Sequence, residues 1–565
     1  MAEKARNWWI FASLQGYQSS WLRPDIIAGL TVWAVLVPES LAYATIAGVT
    51  PVVGLYAAVP SLVLYAAAGS SRHLVVGPMS ATAALSAAII APVAGQDGGH
   101  YLTLTAVLAI VTGIAGLLAG LCRLGFAASF ISEPVLKGFI VGLALTIIIG
   151  QVPKLFGVKK SEGDFFEQTW GVIRHLGDTQ WRTLLIGAIS LALVLLLKRW
   201  MPLIPGSLVV VLLSIAAVSV LSLDQHGVEI VGHIDAGLPS IGLPHGRSWH
   251  DYYDLAGPAF GVLLIGFAEG LGAAKTYAAK AGYEVDPNRE LVGLGAANLG
   301  AGLCSGMVVN GSLSKTAVNG SAGAKSQVSG LVVAVLTILT LLFLTGLFEK
   351  LPEATLAAVV IAAVIELVDV AALRRLYRVW TNRLGSIYGI AARADFLAAV
   401  AAMLGVLFFD TLPGLVIGIA VSMLLLLYRS SRPHVARLGD LGGSWVDVDR
   451  HTGARVSDET VVVRVESGLY FANSDAVRKE IEAMCTDRTR VVVLDAETTP
   501  SIDVSATQML GELQNALKRQ GIELRIARDI GQVRDVLEGA GSGGFRVYPT
   551  VTDATAASDA EGTQP

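Results

Sequence analysis

The chain has 565 residues, 53% of them hydrophobic and only 15% charged, with a formal net charge of −4. A soluble globular chain carries about 25% charged residues, so the composition excludes an ordinary soluble protein, and the small net charge gives no basis for nucleic acid as a partner. Cys122, Cys304 and Cys485 stand far apart with no metal-ligand or disulfide spacing, and the nine histidines form no ligand pair, so neither a metal nor another cofactor is expected.

The N-terminal stretch MAEKARNWWIFASLQGYQSSWLRPD lacks the continuous apolar core of a cleavable signal peptide. Residues 1–24 are expected to form a cytoplasmic segment whose Trp8, Trp9 and Trp21 anchor at the membrane interface. Residues 25–432 form the expected transmembrane domain. From about Ile26 to Tyr428 apolar blocks follow one another, each near the roughly 20 residues that cross a bilayer. Fourteen such segments start near residues 26, 51, 75, 101, 130, 182, 205, 256, 288, 312, 327, 354, 394 and 412. With the N-terminus inside, the even-numbered connections are cytoplasmic, and they carry Arg72, Arg123, Lys198, Arg199, Lys280, Arg289 and Lys325, as the positive-inside rule requires. The long connection after the fifth segment, with Lys154, Lys159 and Lys160, is the exception. The pattern places a multi-pass protein in the plasma (inner) membrane with both termini cytoplasmic.

DVAALRRLYRVWTNRLG, Asp369 to Gly385, is too charged to span and is expected to lie on the membrane surface as a basic amphipathic helix. After Arg432 the composition changes. Strand-like VVVRVESGLYFANSD and RVVVLDAE alternate with helix-like SATQMLGELQNALKRQG and GQVRDVLEGAG, which indicates a small soluble α/β domain over residues 433–550 with its linker. Residues 551–565 show no apolar periodicity and are expected to be a disordered tail.

An odd number of spans per half would invert the second half relative to the first. VPESLAYATIAG (Val37 to Gly48) followed by VVGPMSATAALSAA (Val75 to Ala88) corresponds to GFAEGLGAAKTYAAKAG (Gly266 to Gly282) followed by VVNGSLSKTAVNGSAG (Val308 to Gly323). Each half therefore places a glutamate, Glu39 or Glu269, inside a span, and later a glycine-containing break that opens a short helix of small residues. Paired interrupted helices mark the binding site in inverted-repeat transporters. Gly77-Pro78 and Asn310-Gly311 supply the breaks, and the half-helix starts after them leave N–H groups free for an anion. Ser80, Ser312 and Ser314 add hydroxyl donors, and Lys315 adds charge. An ionisable residue within a span costs about 2.5–3.5 kcal/mol, which makes a functional role the default reading for Glu39 and Glu269.

In these motifs the chain resembles the SulP family of anion permeases, across WLRPDIIAGLTVWAVLVPESLAYATIAGVTPVVGLY, SSRHLVVGPMSATAAL, DPNRELVGLGAANL and VNGSLSKTAVNGSAGAKSQ; its tail resembles the family's STAS domain in VVVLDAETTPSIDVSATQML. The resemblance implies an α-helical polytopic fold of seven plus seven inverted spans in core and gate domains, alternating access, and a homodimer. It implies an anion pocket of Glu39, Tyr43, Met79, Ser80, Ala81, Gly311, Ser312, Leu313, Ser314 and Lys315, with Glu269 at the coupling position. Many relatives have Gln at Glu39 and Arg at Lys315, and Ala273 stands where sodium-coupled relatives can supply a hydroxyl. Ser505 lies in a turn resembling the phosphorylatable turn of free-standing STAS proteins. The expected function is secondary active transport of a small inorganic oxyanion, sulfate first, coupled to protons through Glu269 and Glu39, with the anion held between the starts of half-helices three and ten. Sodium-coupled bicarbonate transport and C4-dicarboxylate transport remain alternatives, as does a membrane-anchored STAS scaffold. No nucleophile, metal or nucleotide constellation suggests an enzyme.

Overall fold

The structure, a computed structural model, describes all residues except 1–9, 95–97, 127–131, 160, 162, 202–204, 235, 245–248, 379–392, 410, 530, 540–544 and 562–565. Trp8, Trp9 and the C-terminal part of the expected surface helix lie outside the described residues. Two compact units divide the chain, Met1–Leu376 with Asp395–Ala420, and Tyr377–Ala394 with Val421–Pro565.

Helices dominate the first unit. α1 (Leu22–Ile46) and α2 (Pro51–Ala68) lead to a short strand, β1 (Val75–Gly77), and then to α3 (Ser80–Ala94), α4 (Gly98–Leu121), α5 (Glu133–Phe156) and α6 (Phe165–Arg174). There follow α7 (Trp181–Trp200), α8 (Gly206–Leu221), α9 (Trp249–Asp254), α10 (Ala256–Ala281) and α11 (Pro287–Leu303). A second strand, β2 (Asn310–Ser312), opens α12 (Leu313–Ser321), and α13 (Val328–Leu339), α14 (Glu353–Val364), α15 (Val370–Arg378), α16 (Ala394–Phe409) and α17 (Thr411–Ser430) complete the series, the end of α15 from Tyr377 and the second half of α17 from Val421 being assigned to the second unit. All fourteen apolar segments thus fold as helices, the third and tenth as a strand followed by a helix. Eight helices among the described residues are long and apolar enough to cross a membrane, and α3, α8, α14 and α16 are shorter apolar helices.

Local chemistry sets several of these boundaries. Pro51, Pro134 and Pro287 occupy first-turn positions, where a missing N–H costs nothing. Asp286 caps α11 by accepting from Asn288 N at 2.9 Å. Small residues let the helices approach closely: a Cβ on Gly295 of α11 would lie 2.5 Å from Leu117 N of α4, and one on Gly116 of α4 would lie 2.9 Å from Gly295 Cα. In α15, the described part of the basic helix, Asp369 Oδ1 accepts from Ala372 N at 2.8 Å and fixes the start.

The soluble part of the second unit is a six-stranded sheet, ordered β4-β3-β5-β6-β7-β8, from β3 (Val435–Leu441), β4 (Ser444–Asp447), β5 (Thr460–Val465), β6 (Val491–Asp495), β7 (Glu523–Ala527) and β8 (Arg546–Tyr548). Strands β5 to β8 are parallel, and β3 is antiparallel to both of its neighbours. Helices α18 (Ser474–Met484), α19 (Val504–Arg519) and α20 (Gly531–Gly539) bury Val477, Leu513 and Val533 against Val463, Val492 and Leu524. This α/β alternation is the one expected from sequence.

The expected disordered tail needs correction. Val551–Glu561 forms a helix, α21, whose Val551 and Ala554 are buried with Leu438, Val462 and Val493. The buried Arg525 guanidinium donates to Ala554 O at 2.7 Å. Two apolar contacts three residues apart are too few to register as periodicity, yet they suffice once a sheet face and a donor await them. Ala554→Asp in the full-length protein places an unpaired carboxylate on that face and should destabilise the domain by about 1–3 kcal/mol. The loss would appear as faster proteolysis of the domain at fixed temperature; unchanged digestion would show that α21 is not seated.

Candidate functional site

Both breaks are built by their own residues. Pro78 disfavours helix at Gly77 and starts α3 two residues on. At the other break, Asn310 Oδ1 accepts from Gly311 N at 2.7 Å. The extended segments then pair antiparallel, with Val75 opposite Ser312, Val76 opposite Gly311 and Gly77 opposite Asn310. This ladder satisfies backbone that has left the helix inside apolar surroundings. Asn298 of α11 secures the approach to β2, accepting from Val309 N at 2.9 Å and donating to Val309 O at 3.0 Å. Gly270 of α10 makes room for the break, since a Cβ there would lie 3.3 Å from Asn310 Oδ1 and 3.5 Å from Gly311 Cα.

At the start of α12, Ser312 Oγ accepts from Lys315 N at 3.3 Å and lies 3.2 Å from Ser314 Oγ. The Lys315 ammonium is buried, with 1% of its side chain exposed. It lies 2.9 Å from Glu39 Oε2, donates to Pro78 O at 3.0 Å and sits 4.9 Å from the centre of the Tyr43 ring. A carboxylate of α1, the carbonyl ahead of α3 and an aromatic face therefore share one cation. A cavity of about 440 Å³ borders this group, lined by Glu39, Ser314, Thr31, Val359 and Lys198 among others.

Met79, Ser80 and Ala81 are buried at the opening of α3, where the first-turn N–H groups have no intrahelical acceptor. Gly311 is buried in the ladder, while the Leu313 side chain is 49% exposed, so Leu313 can contribute only its backbone. Glu269 is half-buried and has neither hydrogen bond nor ion pair among the described residues, though the charge of Lys315 acts on it. Ser505 is exposed in the first turn of α19, beside the Asp503 cap that accepts from Ala506 N at 2.8 Å. Among the described residues no group of three His, Cys, Asp or Glu could hold a metal ion.

The sulfate permease family model matches residues 22–392, and the STAS domain model matches residues 452–554. The chain belongs to the sulfate permease family. It is accordingly a multi-pass membrane transporter with a C-terminal STAS domain, and not an enzyme. It is 37% identical over 529 residues to a probable sulfate transporter of Mycobacterium tuberculosis, covering 93% of this chain and 92% of the relative. High affinity sulfate transporter 2 of Stylosanthes hamata is 31% identical over 575 residues, covering 96% and 84%. In fold it is similar to the murine Solute Carrier 26 family member A9 anion transporter in the inward-facing state, with a TM-score of 0.85, 23% identity and coverage of 97% and 93%. The transmembrane domain of the cyanobacterial bicarbonate transporter BicA gives a TM-score of 0.60 at 21% identity, covering 72% of this chain and 98% of that domain.

Within this family member, sequence reasoning overlooked a second polar cluster. Glu290, fully buried in α11, accepts from Tyr65 OH at 2.7 Å, Ser70 Oγ at 2.7 Å, Ser70 N at 2.9 Å and Ser71 N at 3.0 Å. Asp25, fully buried in α1, accepts from Lys325 N at 2.6 Å, Ser326 N at 3.1 Å and Ser326 Oγ at 2.7 Å. The signal was available in DPNRELVG, whose acid stands at the start of an apolar segment, but a helix-end carboxylate looks solvated until the fold covers it.

Proposed function

We propose that the chain is a secondary active transporter of a small inorganic oxyanion, sulfate first, driven inward by protons. The observation that carries the proposal is a single buried ammonium, Lys315, held at the start of one half-helix and against the carbonyl that precedes the other. Its present partners are a carboxylate, a carbonyl and a ring face. An arriving anion therefore competes with Glu39 for the same cation. Protonation of Glu39 would release Lys315 to the anion, which would also meet the first-turn N–H groups after Met79, those of Leu313 and Ser314, and the hydroxyls of Ser80 and Ser314. Bound anion and bound proton then favour each other reciprocally. Glu269, without a hydrogen-bond or ion-pair partner among the described residues, is the second proton carrier of this scheme.

The antiparallel pairing of β1 with β2 supports an inverted seven-plus-seven arrangement, because inversion brings equivalent segments together in opposite directions. In that scheme a core containing both breaks moves past a gate to give alternating access, within a homodimer. Lys198 in the cavity lining belongs to a connection expected to be cytoplasmic, so the cavity is taken to open inward, as in the murine relative. The named sulfate transporters among the relatives favour sulfate. Ala273, buried and without a hydroxyl one turn after Glu269, disfavours sodium. Ser505 is the proposed regulatory position, where a phosphate would add nearly two negative charges.

The test is uptake of labelled sulfate into liposomes containing the full-length protein, with an inward proton gradient, in the presence and absence of sodium. Uptake should rise with the gradient and ignore sodium, and Glu269→Gln should lower it and flatten its pH dependence. Vesicles that take up bicarbonate or fumarate and no sulfate would overturn the substrate; a Glu269→Gln variant with unaltered uptake and pH profile would overturn the coupling role.

A further inference from the structure

The buried His73 lies in the connection between α2 and β1, outside the proposed anion pocket, and touches three separate parts of the fold. Its Nε2 is 3.0 Å from Ala324 O, just beyond the end of α12. A carbonyl only accepts, so Nε2 carries the hydrogen, and in the neutral ring Nδ1 accepts from Tyr283 OH at 3.0 Å. Burial holds the imidazole below its ordinary pKa, with Arg72 and Lys325 acting in the same direction, which favours this neutral form. Tyr283, in the connection between α10 and α11, stacks on the imidazole with ring centres 5.6 Å apart and accepts from Arg72 N at 3.0 Å. The His73 carbonyl accepts from Asn319 Nδ2 of α12 at 2.9 Å.

Its surroundings repeat the connection. Gln327 Nε2 donates to Ser71 O at 3.0 Å and to Leu74 O at 2.8 Å, and Val75 N donates to Thr316 Oγ1 at 3.0 Å. The lead into β1 is thus tied to the far end of α12, while the ladder ties the near end. A half-helix of nine residues fastened at both ends cannot tilt independently of the segment that carries Pro78. We infer that His73 is a positioning residue that fastens the end of α12 and the α10–α11 connection to the lead into α3, so that Lys315, Pro78 and Glu269 keep their relative places as one body.

Two measurements test this, and only the second rests on the sulfate reading. Amide hydrogen exchange on the full-length protein without any anion should show His73→Ala losing protection in residues 71–77 and 313–327 together. His73→Gln, which can place an N–H near the Nε2 position, should restore most of it. In liposomes, His73→Ala should raise the sulfate concentration for half-maximal uptake about tenfold, as expected for the loss of roughly two hydrogen bonds, and leave the maximal rate within about twofold. His73→Gln should fall between the two. Should His73→Ala fail to fold, His73→Gln and Tyr283→Phe carry the same comparison. Protection lost only in residues 71–74, a fall in maximal rate with unchanged half-saturation, or a glutamine variant no better than alanine would overturn the positioning role. Absence of sulfate uptake by the wild type would overturn the substrate alone, and hydrogen exchange would still decide the role of His73.

Discussion

Lys315→Met should reduce sulfate uptake by about 30-fold to several-thousand-fold, since removing one member of a buried hydrogen-bonded charge pair costs about 2–5 kcal/mol and each 1.4 kcal/mol is about tenfold. Two effects combine in that number. In the proposed scheme the anion loses the buried cation at the half-helix starts, and Glu39, with 7% of its surface exposed, is left as a carboxylate without its partner. The second effect also threatens the fold, because breaking a buried pair from one side destabilises by about 3–5 kcal/mol. Glu39→Gln in the Lys315→Met background separates them. The double variant should recover thermal stability, measured on purified protein, and still fail to take up sulfate. If it recovered uptake as well, Lys315 would serve only to neutralise Glu39, and the amide groups alone would bind the anion.

Gly54→Ala should do comparable damage by a different route. Gly54 of α2 faces α1, and an added Cβ would overlap the Ser40 carbonyl oxygen, with Ala44 Cβ at 3.4 Å. The obstacle is backbone in a helix and cannot swing aside as a flexible side chain would. The two helices must separate, and overpacking of this kind costs about 1–3 kcal/mol. Ser40 directly follows Glu39, so the displacement reaches the Lys315 pair. A lower melting temperature together with weaker sulfate affinity is the expected outcome. Gly272→Ala is the control: it also lies on a helix of the site, beside the Glu269 turn, but nothing stands within 4 Å of its added Cβ. Equal effects of the two substitutions would mean that helix contact at Gly54 is not what positions Glu39.

The two substitutions also mark how far sequence reaches. Apolar runs near 20 residues are legible because the bilayer demands them at every crossing, and the α/β alternation after Arg432 is legible because strand and helix have different periods. Glu39, Glu269 and Lys315 stand out as charges in apolar segments for the same reason. Which of them pair is not legible, because residues far apart in the chain meet only through packing that no local pattern encodes; nothing near Lys315 in sequence indicates that it selects Glu39 over Glu269. The roles of His73 and Glu290 are hidden for a second reason. A polar residue at the edge of an apolar segment usually faces solvent, and only the assembled fold shows these two covered. The seating of α21 is hidden for the opposite reason, since its apolar contacts are too sparse to detect and are made strong by the sheet beneath.

The two-stranded ladder of the first unit has a consequence for how the protein is made. Lys315 and the carbonyl it holds are 237 residues apart, and β1 and β2 are separated comparably. When the ribosome has delivered only the first of these segments, its non-helical backbone has no partner strand, in surroundings where unpaired N–H and C=O groups are costly. Long-range pairing is slow because much chain must be ordered before any contact forms. Assembly of the proposed anion site therefore waits on synthesis of the second half, and the same pairing that completes the site also satisfies backbone groups that would be costly unpaired in the bilayer.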